Sequence, residues 1–172
     1  MISKATLADV PALNELINGA YRGENAKKGW TTEANILAGL RTTEAELQEI
    51  LTTEKNTLLK FTQNNQILGT VLLVEEETKL YLGMLTVSPD IQNSGIGKKL
   101  LKEAEKVALQ LQLTTIVMTV ISVRTELIDW YKRHGYVETG KREPFPESPL
   151  HQSTTNEPLE FIYLEKICFR RL

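Results

Sequence analysis

The residues whose types and spacing most clearly allow chemistry are Gln92-Asn93-Ser94-Gly95-Ile96-Gly97. They follow a strand-like run ending Leu85-Thr86-Val87-Ser88-Pro89 and precede an amphipathic run beginning Lys98-Lys99-Leu100-Leu101. A strand, a glycine-spaced turn and a helix gather unpaired backbone N–H groups and the positive end of a helix dipole at one spot, which suits an anion. Glycines at 95 and 97 let a ligand reach the backbone without meeting a Cβ. Two phosphate loops are excluded. Gly-x-x-x-x-Gly-Lys-Ser/Thr needs glycine at 92 and a hydroxyl at 99, where the chain has Gln92 and Lys99. Gly-x-Gly-x-x-Gly begins at Gly95 but meets Leu100 in place of its third glycine. The pattern Gln/Arg-x-x-Gly-x-Gly/Ala is satisfied throughout. Other reactive side chains carry less: His134 falls at a helix C-terminus, where the dipole favours a cation, and His151 sits among prolines with no visible partner. Cys168 reads as a core thiol.

Bulk properties narrow the classes. A chain of 172 residues suits one well-buried domain, expected to span residues 1–172. Hydrophobic residues at 41% and charged residues at 24% are ordinary for a globular protein. The net charge of −2, with no long single-sign run, argues against nucleic acid as a main partner. No apolar run approaches a membrane span, and Met1-Ile2-Ser3-Lys4-Ala5 reads as a first strand rather than a signal peptide. A single cysteine forbids an intrachain disulfide or a thiolate metal site, so no metal is expected. These features fit a cytoplasmic protein.

The elements that must position the loop follow from periodicity. Ile2 to Thr6 is a short strand, and Asp9-Val10-Pro11 opens a helix with Leu13, Leu16, Ile17 and Ala20 on one face. Residues 23 to 29 form a polar loop. A second helical region is expected from Thr31 or Thr32 to about Leu40, and a third opens at the Thr43/Glu46 capping pair. The period then changes: Thr57 to Thr62, Gln66 to Val74 and Leu80 to Val87 read as an antiparallel meander. Gly97 to Gln112 is helical, with Leu100, Leu101, Ala104, Val107, Ala108 and Leu111 in one stripe. Thr114 to Ile121 is a strand buried on both faces, joined to Leu80–Val87 by a parallel crossover. A last helix from Thr125 to Arg133 stops at Gly135. Tyr136 to Thr139 and Leu159 to Cys168 are closing strands, separated by an irregular proline-marked loop.

The glycine-spaced loop after Leu-x-Val-x-Pro resembles the acetyl-CoA loop of the GCN5-related N-acetyltransferases, the GNAT superfamily. The run Leu127-Ile128-Asp129-Trp130-Tyr131-Lys132-Arg133-His134-Gly135-Tyr136 is similar to that family's Ala-x-x-Phe-Tyr-x-x-x-Gly-Phe. The order of elements matches over nearly the whole chain. The resemblance implies an α/β (α+β) fold: a mixed, mostly antiparallel sheet of six to seven strands flanked by helices, with a splayed parallel pair forming the acetyl-CoA cleft. It implies acetyl-CoA as the donor. The backbone of Leu85, Thr86 and Val87 would pair with the pantetheine arm, and Gln92, Asn93, Ser94, Gly95, Ile96, Gly97 and Lys98 would hold the pyrophosphate. Arg124 stands where the family often has asparagine near the cofactor. It would bind a carboxylate or the cofactor's phosphates, or pair with Glu126 or Asp129.

The resemblance also implies direct acetyl transfer to an amine. A backbone N–H around Thr86 or Val87 would polarise the thioester carbonyl, and Tyr131 would act as general acid toward the departing thiolate. The base is open among Glu33, Glu75 and Tyr81. Tyr21, Trp30 and Glu33 lie where family members build the acceptor pocket, with Trp30 as an aromatic wall and Glu33 as an anionic anchor for a cation. Gly83 leaves room beside the thioester for an acceptor, or marks a β-bulge. The expected acceptor is a small amine or amino-acid-like molecule. A protein or peptide amine, or a non-catalytic acyl-CoA-binding module, are the alternatives. Assembly, where it occurs, is expected as a homodimer through sheet edges or last strands.

Overall fold

The computed structural model describes residues 1–22, 29–34, 37–91, 93–146, 152–154 and 158–169. The chain forms β1 (Ile2–Lys4), α1 (Val10–Tyr21), β2 (Leu37–Ala38), α2 (Glu44–Thr52), β3 (Asn56–Gln63), β4 (Gln66–Glu75) and β5 (Leu80–Val87). There follow α3 (Ile96–Gln110), β6 (Thr115–Ile121), α4 (Thr125–Arg133), β7 (Val137–Pro144), β8 (Gln152–Ser153) and β9 (Glu160–Ile167). Seven strands make one sheet in the order β1-β3-β4-β5-β6-β9-β7, and β2 pairs with β8 in a separate ribbon. Every pairing in the large sheet is antiparallel except β5 with β6.

Short local signals set the element ends. Thr43 accepts the Glu46 N–H at 3.1 Å, capping α2 as its sequence predicts. At the other end of α4, Gly135 takes φ +94°, with Gly135 N–H bonded to Lys132 O and Tyr136 N–H bonded to Tyr131 O, the paired bonds of a Schellman stop. Asp9 stands at the N-cap of α1, but its side chain caps nothing there. Its carboxylate turns away from α1, accepting the Thr6 N–H at 2.8 Å and pairing with Lys60 at 2.8 Å.

Two apolar clusters sandwich the sheet. Leu100, Leu101, Ala104 and Ala108 of α3 lie on the face carrying Leu59, Val71, Leu82 and Met118. Val10, Leu13 and Ile17 of α1 and Leu47 of α2 join Leu58, Leu72 and Met84. Gly69 permits the α3 contact: a Cβ there would lie 2.8 Å from Ile96 and 3.2 Å from Leu100.

The geometry that matters for function is a parting of strands. β5 is registered with β6 only at Leu80↔Ile116 and Tyr81↔Val117, whereas β6 stays paired with β9 from Thr115 to Ile121. On its other side β5 carries a bulge: Met84 and Leu85 together face Val71, with Met84 at φ +52°. The extra residue bends β5 where it leaves β6.

Two expectations are corrected. The helix expected to about Leu40 does not reach it, since Leu37–Ala38 form strand β2. Glu33 N–H reaches Tyr21 O at 3.1 Å and Ala34 N–H bonds the Thr32 hydroxyl at 3.0 Å, folding the segment against the end of α1 before β2. The last hairpin is longer than its sequence pattern predicts, because β7 runs to Pro144 with a register shift between Glu138 and Arg142, and β8 lies inside the proline-marked region. No helix among the described residues is long and apolar enough to cross a membrane.

Candidate active site

The edge of β5 that β6 abandons walls a cleft of about 310 Å³. Its backbone direction follows from register. Ser88 N–H donates to Leu68 O at 2.8 Å and Thr86 is registered with Thr70, so alternation turns the peptide groups of Leu85 and Val87 to the cleft. Tyr21 Oη, donating to Leu85 O at 2.7 Å, meets the strand on that side. Burial pushes the Tyr21 phenol up, which keeps it a donor. Thr86 therefore turns its backbone to β4, and its hydroxyl donates to Met84 O at 2.9 Å.

The same cleft is lined by Asn93, Ser94, Gly95, Ile96, Gly97 and Lys98. Asn93 at φ +66° and Gly95 at φ +81° turn the chain so that α3 starts at Ile96 with no side chain capping it. A Cβ on Gly95 would meet nothing within 4 Å, so this glycine serves backbone conformation. Gly97 serves close approach: a Cβ there would lie 3.2 Å from the Trp130 ring. The uncapped N–H groups of a 15-residue helix, Lys98 beside them and open space over Gly95 together fit a pyrophosphate. Gln92 lies outside the described residues.

Tyr131 stands where this cleft meets a second cavity of about 200 Å³. Tyr21, Leu85, Arg124, Leu127 and Tyr131 line both. Tyr131 is buried, edge-on to Trp130 at 5.1 Å and to Tyr136 at 5.8 Å. Among the described residues nothing hydrogen-bonds its hydroxyl, and burial holds the phenol well above 10.

The second cavity is built around a buried charge cluster. Arg22 donates to Glu33 Oε1 through Nε at 3.3 Å and Nη2 at 3.1 Å, and to Leu40 O through Nη1 at 2.9 Å. Arg124 donates to Glu33 Oε2 through Nη1 at 3.2 Å and to Thr31 Oγ1 through Nη2 at 2.9 Å. Among the described residues lining this cavity the charged ones are Arg22, Arg41, Arg124 and Glu33, an excess of two positive charges. Met118, Val120, Phe145 and Phe161 add apolar wall.

This placement sorts the remaining expected residues. Glu33 lines the second cavity, but both its oxygens are taken by arginines, which corrects its reading as an anchor for a cation. Arg124 pairs with Glu33 rather than with Glu126 or Asp129. Trp30 lies with Trp130 at 6.2 Å in the larger cleft, not in the second cavity. Gly83 does line the second cavity. The room above it is filled by Tyr81, whose ring would sit 2.9 Å from a Cβ, and the bulge lies one residue on, at Met84. Of the three base candidates Glu33 and Tyr81 line the second cavity, while Glu75 lines neither. Sequence reasoning passed over Arg22, Arg41 and Trp130 as site residues. Only Trp130 carried a signal, as a neighbour of Tyr131 in the second motif. His134 lines the larger cleft with its ring 4.3 Å from that of Trp130, and Cys168 is a core thiol lining neither cavity. His151 lies outside the described residues.

A profile described as the acetyltransferase (GNAT) domain matches residues 30–147. No curated protein matches the chain. Among solved structures, the ribosomal-protein-S18-alanine N-acetyltransferase from Escherichia coli superposes with a TM-score of 0.74 at 17% identity, over 99% of this chain and 95% of that one. The ribosomal-protein-alanine N-acetyltransferase from Brucella melitensis gives a TM-score of 0.71 at 22% identity, over 97% and 99%. A GNAT family acetyltransferase from Elizabethkingia anophelis with acetyl-CoA bound gives 0.57 at 20% identity, over 73% and 83%. At these identities the likeness is one of fold.

Proposed function

The chain belongs to the GNAT acetyltransferase family, and on that premise we propose that it acetylates the amine of a small, amino-acid-like molecule in the cytoplasm. It is an acetyl-CoA-dependent N-acetyltransferase; the proposal concerns the acceptor and the residues that serve it. The observation that carries it is the meeting of two cavities at Tyr131, one fitted to the cofactor and one of about 200 Å³, the size of a small molecule.

When bound, acetyl-CoA supplies a thioester in which a C–N bond to the acceptor replaces the C–S bond, leaving an amide and free CoA thiol. The loop from Asn93 to Lys98 holds its pyrophosphate, and the cleft-facing peptide groups of Leu85 and Val87 pair with its pantetheine arm. A backbone N–H on this edge polarises the carbonyl. Tyr131 keeps its proton because burial raises its pKa, and holds it at Oη for the sulfur that leaves. The acceptor nitrogen must arrive without its own proton. The positive excess of the second cavity disfavours an ammonium there and so releases that proton to water at a lower pH than in bulk.

The small volume of the second cavity, about 200 Å³, favours a small acceptor over a protein N-terminus, and a Tyr131 hydroxyl with no hydrogen bond among the described residues favours turnover over binding alone. A thiol-release screen with acetyl-CoA over amines, amino acids and short peptides tests the reading. The expected result is acetylation of small amines in preference to peptides. Turnover confined to peptides with free N-termini overturns it.

A further inference from the structure

Among the described residues three arginines line the second cavity, and two of them are spent. Arg22 is bound to Glu33 and Leu40 O, and Arg124 to Glu33 and Thr31. Glu33 has no oxygen without an arginine on it. The third, Arg41, differs. Its guanidinium makes no hydrogen bond or ion pair among the described residues and lies over the Tyr21 ring, 5.3 Å from the centroid.

Its backbone is nonetheless held in place. Arg41 N–H and Thr42 N–H both donate to Asn18 Oδ1, at 2.8 and 3.0 Å, while Asn18 Nδ2 donates to Thr42 O at 3.0 Å. Asn18 lies on α1 three residues before Tyr21, so one helix sets both the arginine and the ring beneath it. The Nε–H of buried Arg124 likewise has no partner among the described residues, leaving part of its donor capacity unmet in the wall that both cavities share. A fixed backbone carrying a guanidinium that no described residue binds, in a cavity whose described lining has a positive excess, suits an anion. A planar five-donor fork matches a carboxylate.

We propose that the acceptor is a carboxylate-bearing amine of amino-acid size, with its carboxylate held by Arg41 over Tyr21; this rests on reading the second cavity as the acceptor site. The amine then points toward Tyr131 and the β5 edge, and the apolar walls at Met118, Val120, Phe145 and Phe161 receive an apolar side chain.

The test uses the purified full chain with L-leucine, L-methionine and L-phenylalanine, each against its decarboxylated amine, in wild type and Arg41→Gln. Thiol release at saturating acetyl-CoA reports kcat and KM, and calorimetric titration of the same probes without acetyl-CoA reports binding directly. Wild type should prefer the amino acids by about 10- to 100-fold in kcat/KM, the worth of one charge-assisted bidentate contact. Arg41→Gln should abolish that preference through KM and weaken amino-acid binding by a similar factor, with acetyl-CoA affinity retained. Equal use of amines and amino acids, or a preference that survives Arg41→Gln, overturns the carboxylate subsite and leaves the small-amine reading standing. Turnover of peptides alone overturns that reading and the subsite with it. A panel in which no amino acid is bound or acetylated also overturns the subsite.

Discussion

At the residue scale the account turns on Glu33 and Tyr131. Glu33 is sequestered between Arg22 and Arg124, and removing one member of a buried charge cluster strands the others. Glu33→Ala should therefore cost about 3–5 kcal/mol of stability, seen as a melting temperature lowered by about 6–20 °C. A loss of only about 1 °C would show that the carboxylate does not hold the arginines together. Tyr131 predicts a pH profile. Its raised pKa keeps the phenol protonated, so kcat should show no alkaline fall assignable to this group below about pH 10. Tyr131→Phe should lower kcat by about 10²- to 10⁴-fold with acetyl-CoA affinity retained by calorimetry, and unchanged kcat would remove it from the chemistry. Both residues were visible in the sequence, but unequally. Tyr131 lies in a local motif ending at a glycine stop, whereas the partners that reverse the role of Glu33 lie 11 and 91 positions away. No local pattern encodes such a pairing, and for the same reason Arg41, whose proposed role rests on a guanidinium that no described residue binds, left no trace.

At the element scale, site geometry depends on how closely α3 approaches β4 and where β5 leaves β6. Gly69 sets the first. Gly69→Ala places a methyl 2.8 Å from Ile96, the residue that begins α3. We expect a loss of about 1–3 kcal/mol from overpacking, read in thermal denaturation, with acetyl-CoA binding weakened because the loop moves with the helix. Unaltered stability and affinity would mean that α3 adjusts freely. The bulge at Met84 and Leu85 sets the second, and Gly83 beside it hints at irregularity without locating it. Caps and periodicity made α2, α4 and the β3–β4–β5 meander legible, since their determinants lie within a few residues. The helix expected from Thr31 or Thr32 to about Leu40 was misread because its apolar spacing suits a helix, while Glu33 N–H goes back to Tyr21 O, Ala34 N–H to the Thr32 hydroxyl, and the Leu37 N–H bond to Glu33 O is followed at once by strand β2. The β2–β8 ribbon joins segments more than a hundred residues apart and has no local signature.

At the scale of the whole molecule, one topological fact organises the rest: a sheet whose single parallel pairing lasts two residue pairs before its strands part. The parting creates the cleft, the loop before α3 lines it, and α4 sets Tyr131 in the wall that the cleft and the second cavity share. On the proposed reading, two cavities that share Tyr131 in their walls would hold donor and acceptor at the same time. The buried Cys168 lines neither cavity, so it cannot carry the acetyl group between them. On the proposed reading the acceptor nitrogen attacks the thioester directly. Initial velocities measured over a grid of acetyl-CoA and acceptor concentrations, using the best acceptor of the thiol-release screen, test this most directly. Double-reciprocal lines that intersect, with no acetylated chain detected by mass spectrometry in the absence of acceptor, are the predicted result. Parallel lines accompanied by an acetylated chain would contradict it.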